Sequence, residues 1–186
     1  RLSKPRTFQM NHSYWGPAYD SEAITRIIEA AETDLARQGC KVRNIADEQV
    51  LCKETAIAIS EGKVIGWFQG RMEWGPRALG NRSILGDPRR ADMKEILNLK
   101  IKKRESFRPF APSILRSEVS EWFEIDVDVP FMLQVLQIKP EKRKEIPAVT
   151  HVNGSGRLQT VEEDQNPRYH RLIKSFKELT QVPILL

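Results

Sequence analysis

The stretch 69–83, QGRMEWGPRALGNRS, carries Gly70, Gly75, Pro76 and Gly80 within eleven positions. Glycine costs backbone entropy and proline removes a donor, so neither a regular helix nor a strand runs through it. It is a loop of unusual length. The apolar run at 63–68 before it reads as a buried strand, and Ser83, Ile84 and Leu85 after it read as another. Three arginines, Arg71, Arg77 and Arg82, lie inside the loop, with Glu73 between them. Successive N–H groups in such turns can form an anion-binding nest, and arginines add bidentate contacts to phosphate oxygens. Glu73 can orient one arginine or hold a metal through water. A surface loop with solvated arginines and one structural Arg–Glu pair is the competing reading. No Gly-Lys-Ser/Thr sequence stands where a Walker loop needs one.

Around this loop the pattern alternates. Residues 1–20 hold Pro5, Gly16 and Pro17 among aromatics and read as an arm or interdomain segment. Asp20 or Ser21 caps a helix with Ala23, Ile24, Ile27, Ile28, Ala31 and Leu35 on its apolar face, stopped at Gly39. A short strand is expected at 42–45 and a helix at 48–60, ended by Gly62. Asp87-Pro88 has the form of a helix start, leading to Met93, Ile96 and Leu97. A strand is expected near Ile114, and helical turns from Ser117 through Val119, Trp122 and Phe123. Residues 131–138 and 157–161 read as strands, with a charged turn at 140–145 between them. The last helix sets Tyr169, Leu172, Ile173, Phe176 and Leu179 on one face. Non-repeating alternation of this kind favours an α/β (α+β type) domain layered around one twisted sheet. The 186 residues suffice for one such domain.

Charge is concentrated. The chain carries a net +5, but residues 71–116 hold twelve basic residues against five acidic ones. The remainder is therefore slightly acidic. A local excess of this kind marks an anion site or a nucleic-acid face. The second basic segment, 100–113, reads KIKKRESFRPFAPS. If Lys102, Arg104 and Arg108 turn inward they neutralise several negative charges at one place, on a loop stiffened by Pro109, Pro112, Phe107 and Phe110. Ser113 closes that segment. A solvated basic turn is the alternative. The third segment, 151–160, reads HVNGSGRLQT. Ser155 and its neighbouring amides can hold an anion or a ribose next to Arg157, or form a plain hairpin turn.

Other chemistries are poorly served. His12, His151 and His170 lack metal-ligand spacing, and there is no Cys-x-x-Cys or Gly-x-Ser-x-Gly. His170 reads as structural. Trp67, Trp74, Trp122 and Phe123 read as core or interdomain contacts. Cys40 and Cys52 are too few for a disulfide framework and are expected to be buried thiols in a reducing cytoplasm. No apolar run reaches about 18 residues, the length needed to span a bilayer. The chain begins without methionine and stops in the apolar run Val182 to Leu186, so a fragment of a longer protein is expected.

Three strings, GWFQGRMEWGPRALGNRSILGDPR, KKRESFRPFAPSIL and HVNGSGRLQTV, together resemble the C-terminal domain of NodU/CmcH-type carbamoyltransferases. The resemblance runs from YWGPAYDSEAI to TQVPILL, nearly the whole chain. It implies a YrdC/Sua5-like mixed twisted sheet flanked by helices around a basic central cavity, here residues 21–186 and truncated at the C-terminus. It further implies a Kae1-like, actin-related N-terminal domain that this chain lacks and that carries the acceptor site's metal-binding histidines. The resemblance also implies that carbamoyl phosphate and ATP, with Mg2+ accompanying ATP, become a carbamoyl-adenylate, and that the partner domain passes the carbamoyl group to a sugar- or antibiotic-type hydroxyl. No metal is expected on the residues present. Lys102, Arg104 and Arg108 match the family's basic run and Arg157 the arginine after its small-residue turn. Lys102, Arg108 and Arg157 are expected to act on carbamoyl phosphate. Arg71, Arg77, Arg82, Arg104, Ser113 and Ser155 are expected to contact substrate or ATP phosphates. The family often has Asp-Gly-Ser-Ala-Arg where this chain has Asn153 to Arg157, which removes one carboxylate. An RNA-binding YrdC-like module is the alternative, although the interleaved aromatics of single-strand binders are not evident.

Overall fold

The computed structural model describes residue 5 and residues 7–186; residues 1–4 and 6 of the expected arm lie outside the described residues. Two sheets form instead of one. Strands β1 (Ile65–Phe68) and β2 (Arg82–Leu85) pair antiparallel as a hairpin whose connection is the glycine loop. Strands β3 (Ser113–Leu115), β4 (Gln134–Gln137), β5 (Ser155–Val161) and β6 (Ile184–Leu185) form a mixed sheet in the order β4-β5-β3-β6. β5 runs parallel to β3 and antiparallel to β4. Gly86 and Leu186 exchange two backbone hydrogen bonds, at 3.1 and 3.2 Å, which dock the hairpin against the edge of the second sheet.

Helices α3 (Glu48–Ser60) and α6 (Pro167–Thr180) pack on each other and carry much of the core. Both begin as their sequences dictate. The Asp47 carboxylate accepts from the N–H groups of Gln49 and Val50, and Asn166 accepts from Tyr169 N–H with Pro167 at the first turn. Cys52, Ala56 and Ile59 meet Leu172, Ile173 and Phe176 in one apolar cluster, closed by Trp67, Trp122, Phe123, Leu158 and Ile184. Glu48 ties the two helices by ion pairs to Arg168 and Arg171.

Several local expectations are corrected. The first helical stretch divides at Ala31 into α1 (Ser21–Ala30) and α2 (Glu32–Arg37), and neither buries a residue: Ile24, Ile27 and Ile28 face outward. Residues 42–45 form no strand, because nothing pairs with them. Asp87-Pro88 does not start a helix; Asp87 instead accepts from Arg89 N–H and binds the Arg89 guanidinium. Helix α4 (Met93–Glu95) begins later and passes into a π-helical turn, Ile96–Ile101. The strand expected at 131–138 is shortened, since Met132 adopts φ 55°. Between β3 and β4, helix α5 (Val119–Trp122) is a single short turn. Trp67, Trp122 and Phe123 are buried as expected, whereas Trp74 is 72% exposed and Cys40 is also exposed.

The glycine loop is ordered by one carboxylate. Glu73 Oε1 accepts from the N–H groups of Leu79 (2.7 Å), Asn81 (2.8 Å) and Arg82 (3.3 Å), and Oε2 accepts from Arg82 Nε at 3.0 Å. Burial opposes its ionisation, but the Leu79 and Asn81 donors and the Arg82 guanidinium outweigh that and hold its pKa below the usual value. A buried amide network continues from it. Gln69 Nε2 donates to Asn81 Oδ1 and Asn166 Oδ1, and Gln159 Nε2 donates to Leu79 O at 2.8 Å. The arm joins from the other side: Trp74 N–H donates to Ser13 O, and Gly16 N–H to Met72 O.

Two predictions follow from this geometry. Gly80 has φ +108°, and a Cβ there meets the Tyr169 ring at 2.4 Å, whereas Gly66 faces open space. Gly80→Ala is expected to destabilise by on the order of 1–3 kcal/mol, and Gly66→Ala by less than about 0.5 kcal/mol, read by denaturant unfolding. Glu73→Gln is expected to cost about 3 kcal/mol, because it removes the charge and turns an amide donor toward Arg82. A carboxylate with a lowered folded pKa stabilises fully above its unfolded pKa and loses that contribution as pH falls through the folded value. Stability measured against pH should therefore fall less steeply on acidification in Glu73→Gln than in the native protein.

Candidate active site: a basic cleft between three loops

A cleft of about 270 Å3 opens where the glycine loop, the 102–113 loop and β5 converge. Its cationic side is formed by Arg77, Lys102, Arg104 and Arg157. Ile84, Leu85, Phe110 and Met132 supply apolar wall, and Ser113 and Tyr169 line the cleft as well. No carboxylate side chain lines it. Nε of Arg77 and Nε of Arg157 are buried with no hydrogen-bond partner. Buried donors of this kind are normally satisfied, and both of these are free to donate. Desolvation, then Arg77 and Arg104, lower the pKa of Arg157; desolvation, then Arg104, lower that of Lys102. Burial is the larger cause of both shifts, and the neighbouring cations add to it.

Each element reaches the cleft for a local reason. Arg77 sits within the loop that Glu73 closes at Leu79 and Asn81. Arg157 lies in β5 at the register opposite Val135 of β4. Lys102 and Arg104 flank Lys103, whose φ of 47° ends the π-helical turn. The Arg104 guanidinium lies over the Phe110 ring at 4.9 Å. Ser113 Oγ donates to Gln159 Oε1 at 2.8 Å, joining the cleft floor to the amide network.

The structure thus brings together Arg77, Lys102, Arg104, Ser113 and Arg157 from the expected set, and leaves four residues outside the lining. Arg71 donates to the carbonyls of Gly16 and Trp15 and fastens the arm. Arg82 is held by Glu73 and by Gly75 O. Arg108 pairs with Glu105 at 2.8 Å on the surface, and Phe107 beside it is 74% exposed. Ser155 donates to Asn153 Oδ1 at 2.6 Å and lies 3.1 Å from His151 Nδ1, so it shapes the turn before Arg157. Asn153 Oδ1 also accepts from Ser155 N–H, which gives position 153 a turn-forming role. Burial, then Arg157 and Lys94, lower the His151 pKa and favour its neutral form.

Tyr169 lines the cleft, and Gln159 and Asn98 accept hydrogen bonds from the lining residues Ser113 and Arg104; none of the three is expected at the site from the sequence alone. Gln159 and Tyr169 could have been found only by placing β5 and α6 against the loops. Asn98 had a signal: an amide among Ile96, Leu97 and Leu99 on an apolar turn. Among the described residues no cluster of three His, Cys, Asp or Glu side chains could hold a metal, and no acidic side chain lines the cleft. Among the described residues no helix is long and apolar enough to cross a membrane.

Comparison with known proteins bears on this geometry. Residues 56–186 match the family model described as "Carbamoyltransferase C-terminus". The chain is 44% identical over 187 residues to nodulation protein NolNO of Sinorhizobium fredii, which covers 99% of this chain and 26% of that protein. It is 44% identical over 176 residues to nodulation protein NolO of Bradyrhizobium diazoefficiens, covering 93% and 31%. It is 41% identical over 132 residues to the 3'-hydroxymethylcephem-O-carbamoyltransferase of Amycolatopsis lactamdurans, covering 71% and 25%. The chain spans about a quarter to a third of these relatives' length. With the family model covering residues 56–186, which include all three basic segments, the chain belongs to the carbamoyltransferase C-terminal family.

Proposed function

We propose that this chain is the activating part of an O-carbamoyltransferase. Its basic cleft takes carbamoyl phosphate and ATP and forms a carbamoyl-adenylate. A Kae1-like, actin-related part of the full-length protein then delivers the carbamoyl group to a hydroxyl of a sugar- or antibiotic-type acceptor. The observation that carries this reading is the cleft lined by Arg77, Lys102, Arg104 and Arg157 and, among the described residues, by no carboxylate side chain.

The chemistry asks for cations on two leaving groups. Hydrolysis of carbamoyl phosphate releases phosphate and leaves carbamate. A carbamate oxygen then attacks the α-phosphorus of ATP, and pyrophosphate departs with the bonding electrons. The acceptor oxygen later attacks the carbamoyl carbon and AMP leaves. In each of the first two steps negative charge grows on phosphate oxygens. Arginine forks fixed before the reaction stabilise that charge without reorganisation. The apolar wall of Ile84, Leu85, Phe110 and Met132 gives a purine base a place to lie. Mg2+ would arrive with the ATP phosphates and supply charge neutralisation there. An RNA-binding face would spread cations over an open surface. Here they converge in a cleft, while Arg82, Arg89, Arg90 and Arg108 each pair with an acid.

Calorimetric titration with carbamoyl phosphate and ATP tests the reading. Arg157→Ala and Arg77→Ala are each expected to weaken carbamoyl phosphate binding by about tenfold to a hundredfold. Arg71→Ala should leave it unchanged. No binding of either compound to the native protein, or native affinity in Arg157→Ala, would overturn it. Pyrophosphate release with both compounds present reads the adenylation step. The lowered Lys102 pKa gives a pH test as well. Affinity should fall, as pH rises, earlier than an ordinary lysine would impose, and Lys102→Arg should extend binding to higher pH.

A further inference from the structure

Asn98 sits on the π-helical turn Ile96–Ile101 and is 0% exposed. Both of its amide donors and its oxygen are hydrogen-bonded. Nδ2 donates to Ser106 O at 3.1 Å and to Arg108 O at 2.9 Å, and Oδ1 accepts from Arg104 Nε at 2.7 Å. Its backbone carbonyl accepts from Arg104 N–H at 2.9 Å. The orientation of the amide is unambiguous, because two carbonyls can be met only by the NH2 group and a guanidinium N–H only by the oxygen.

This single side chain therefore spans the whole basic loop. The widened π turn brings Asn98 under that loop, and Lys102 N–H closes the turn on Leu97 O at 2.8 Å. Turns of this type recur at functional sites. The amide has a property that an acid at the same place would lack. It fixes Arg104 by a neutral acceptor and leaves the guanidinium's charge unpaired in the cleft. Among the described residues Arg104 makes no ion pair, although Glu105 is its neighbour and turns to Arg108.

We propose that Asn98 is a positioning residue of the basic cleft: it aims Arg104 at the bound anion through a buried neutral hydrogen bond. The proposal rests on the anion-binding reading above.

The test combines two measurements that fail separately. In the ligand-free native protein, the Arg104 Nε–H is expected to give a distinct, exchange-protected NMR signal, assigned by its loss in Arg104→Lys. Asn98→Ala and the isosteric Asn98→Asp should each change that signal, the first by loss of protection and the second by formation of an ion pair. An unprotected Nε–H in the native protein overturns the proposal whether or not any ligand binds. In titrations with carbamoyl phosphate, Asn98→Ala is expected to weaken binding about tenfold, and Asn98→Asp at least as much, because the new acid neutralises Arg104. In an Arg104→Ala background the same Asn98 changes should weaken binding by less than about twofold, the mark of action through Arg104. Losses that simply multiply in the double variants, or native affinity in Asn98→Asp, overturn the proposal. Should Asn98→Ala not fold, the Asn98→Asp arm alone decides. If the native protein binds neither carbamoyl phosphate nor ATP while the Nε–H signals behave as expected, the functional reading fails and the positioning role stands.

Discussion

The carboxylate of Glu73 is the constraint on which the rest of the site depends. A buried acid without partners is strongly unfavourable, and here three backbone N–H groups and one guanidinium offset the desolvation. Those donors come from Leu79, Asn81 and Arg82, so the charge can be satisfied only when the glycine loop has closed. Closure then leaves the Leu79 carbonyl to accept from both Tyr14 OH and Gln159 Nε2. One side chain thereby couples the N-terminal arm, the hairpin and β5. The positive φ of Gly75 and Gly80 is what lets the backbone fold back upon that acid.

The charge distribution resolves once ion pairs are assigned. Four of the five acids in residues 71–116 each take one arginine: Glu73 holds Arg82, Asp87 holds Arg89, Asp92 holds Arg90 and Glu105 holds Arg108. Arg71 is taken by carbonyls and Arg116 by Asp126 and Asp128. What remains near the cleft is Arg77, Lys102 and Arg104, joined from far along the chain by Arg157. Burial first, and then the neighbouring cations, lower the pKa values of Lys102 and Arg157. On the proposed reading a bound anion relieves the repulsion between these cations, so ligand and fold stabilise each other.

Much of this was legible in the sequence, and the exceptions share a cause. Helices α3 and α6 carry their own caps and apolar faces, and both stand where expected. The three basic segments likewise supply every cation of the cleft. What local pattern misjudged was anything decided by distant partners. Residues 42–45 have strand composition but no strand to pair with, and the α1 stripe has the period of a core helix but no core beneath it. Asp87-Pro88 looks like a cap, yet the nearby Arg89 takes the carboxylate first. The same rule separates the arginines. Arg108 has Glu105 three residues before it, a pairing readable by eye, whereas Arg77 and Arg157 have no acid within three positions.

Two organisers divide the work. Glu73 orders the glycine loop with an acid, and Asn98 orders the 102–108 loop with an amide. The difference follows from what each must leave free. Glu73 faces backbone donors and Arg82, an arginine outside the cleft lining, so a full charge there strengthens the loop without weakening the site. Asn98 faces Arg104, which does line the cleft, and an acid at that point would cancel the charge that the site needs.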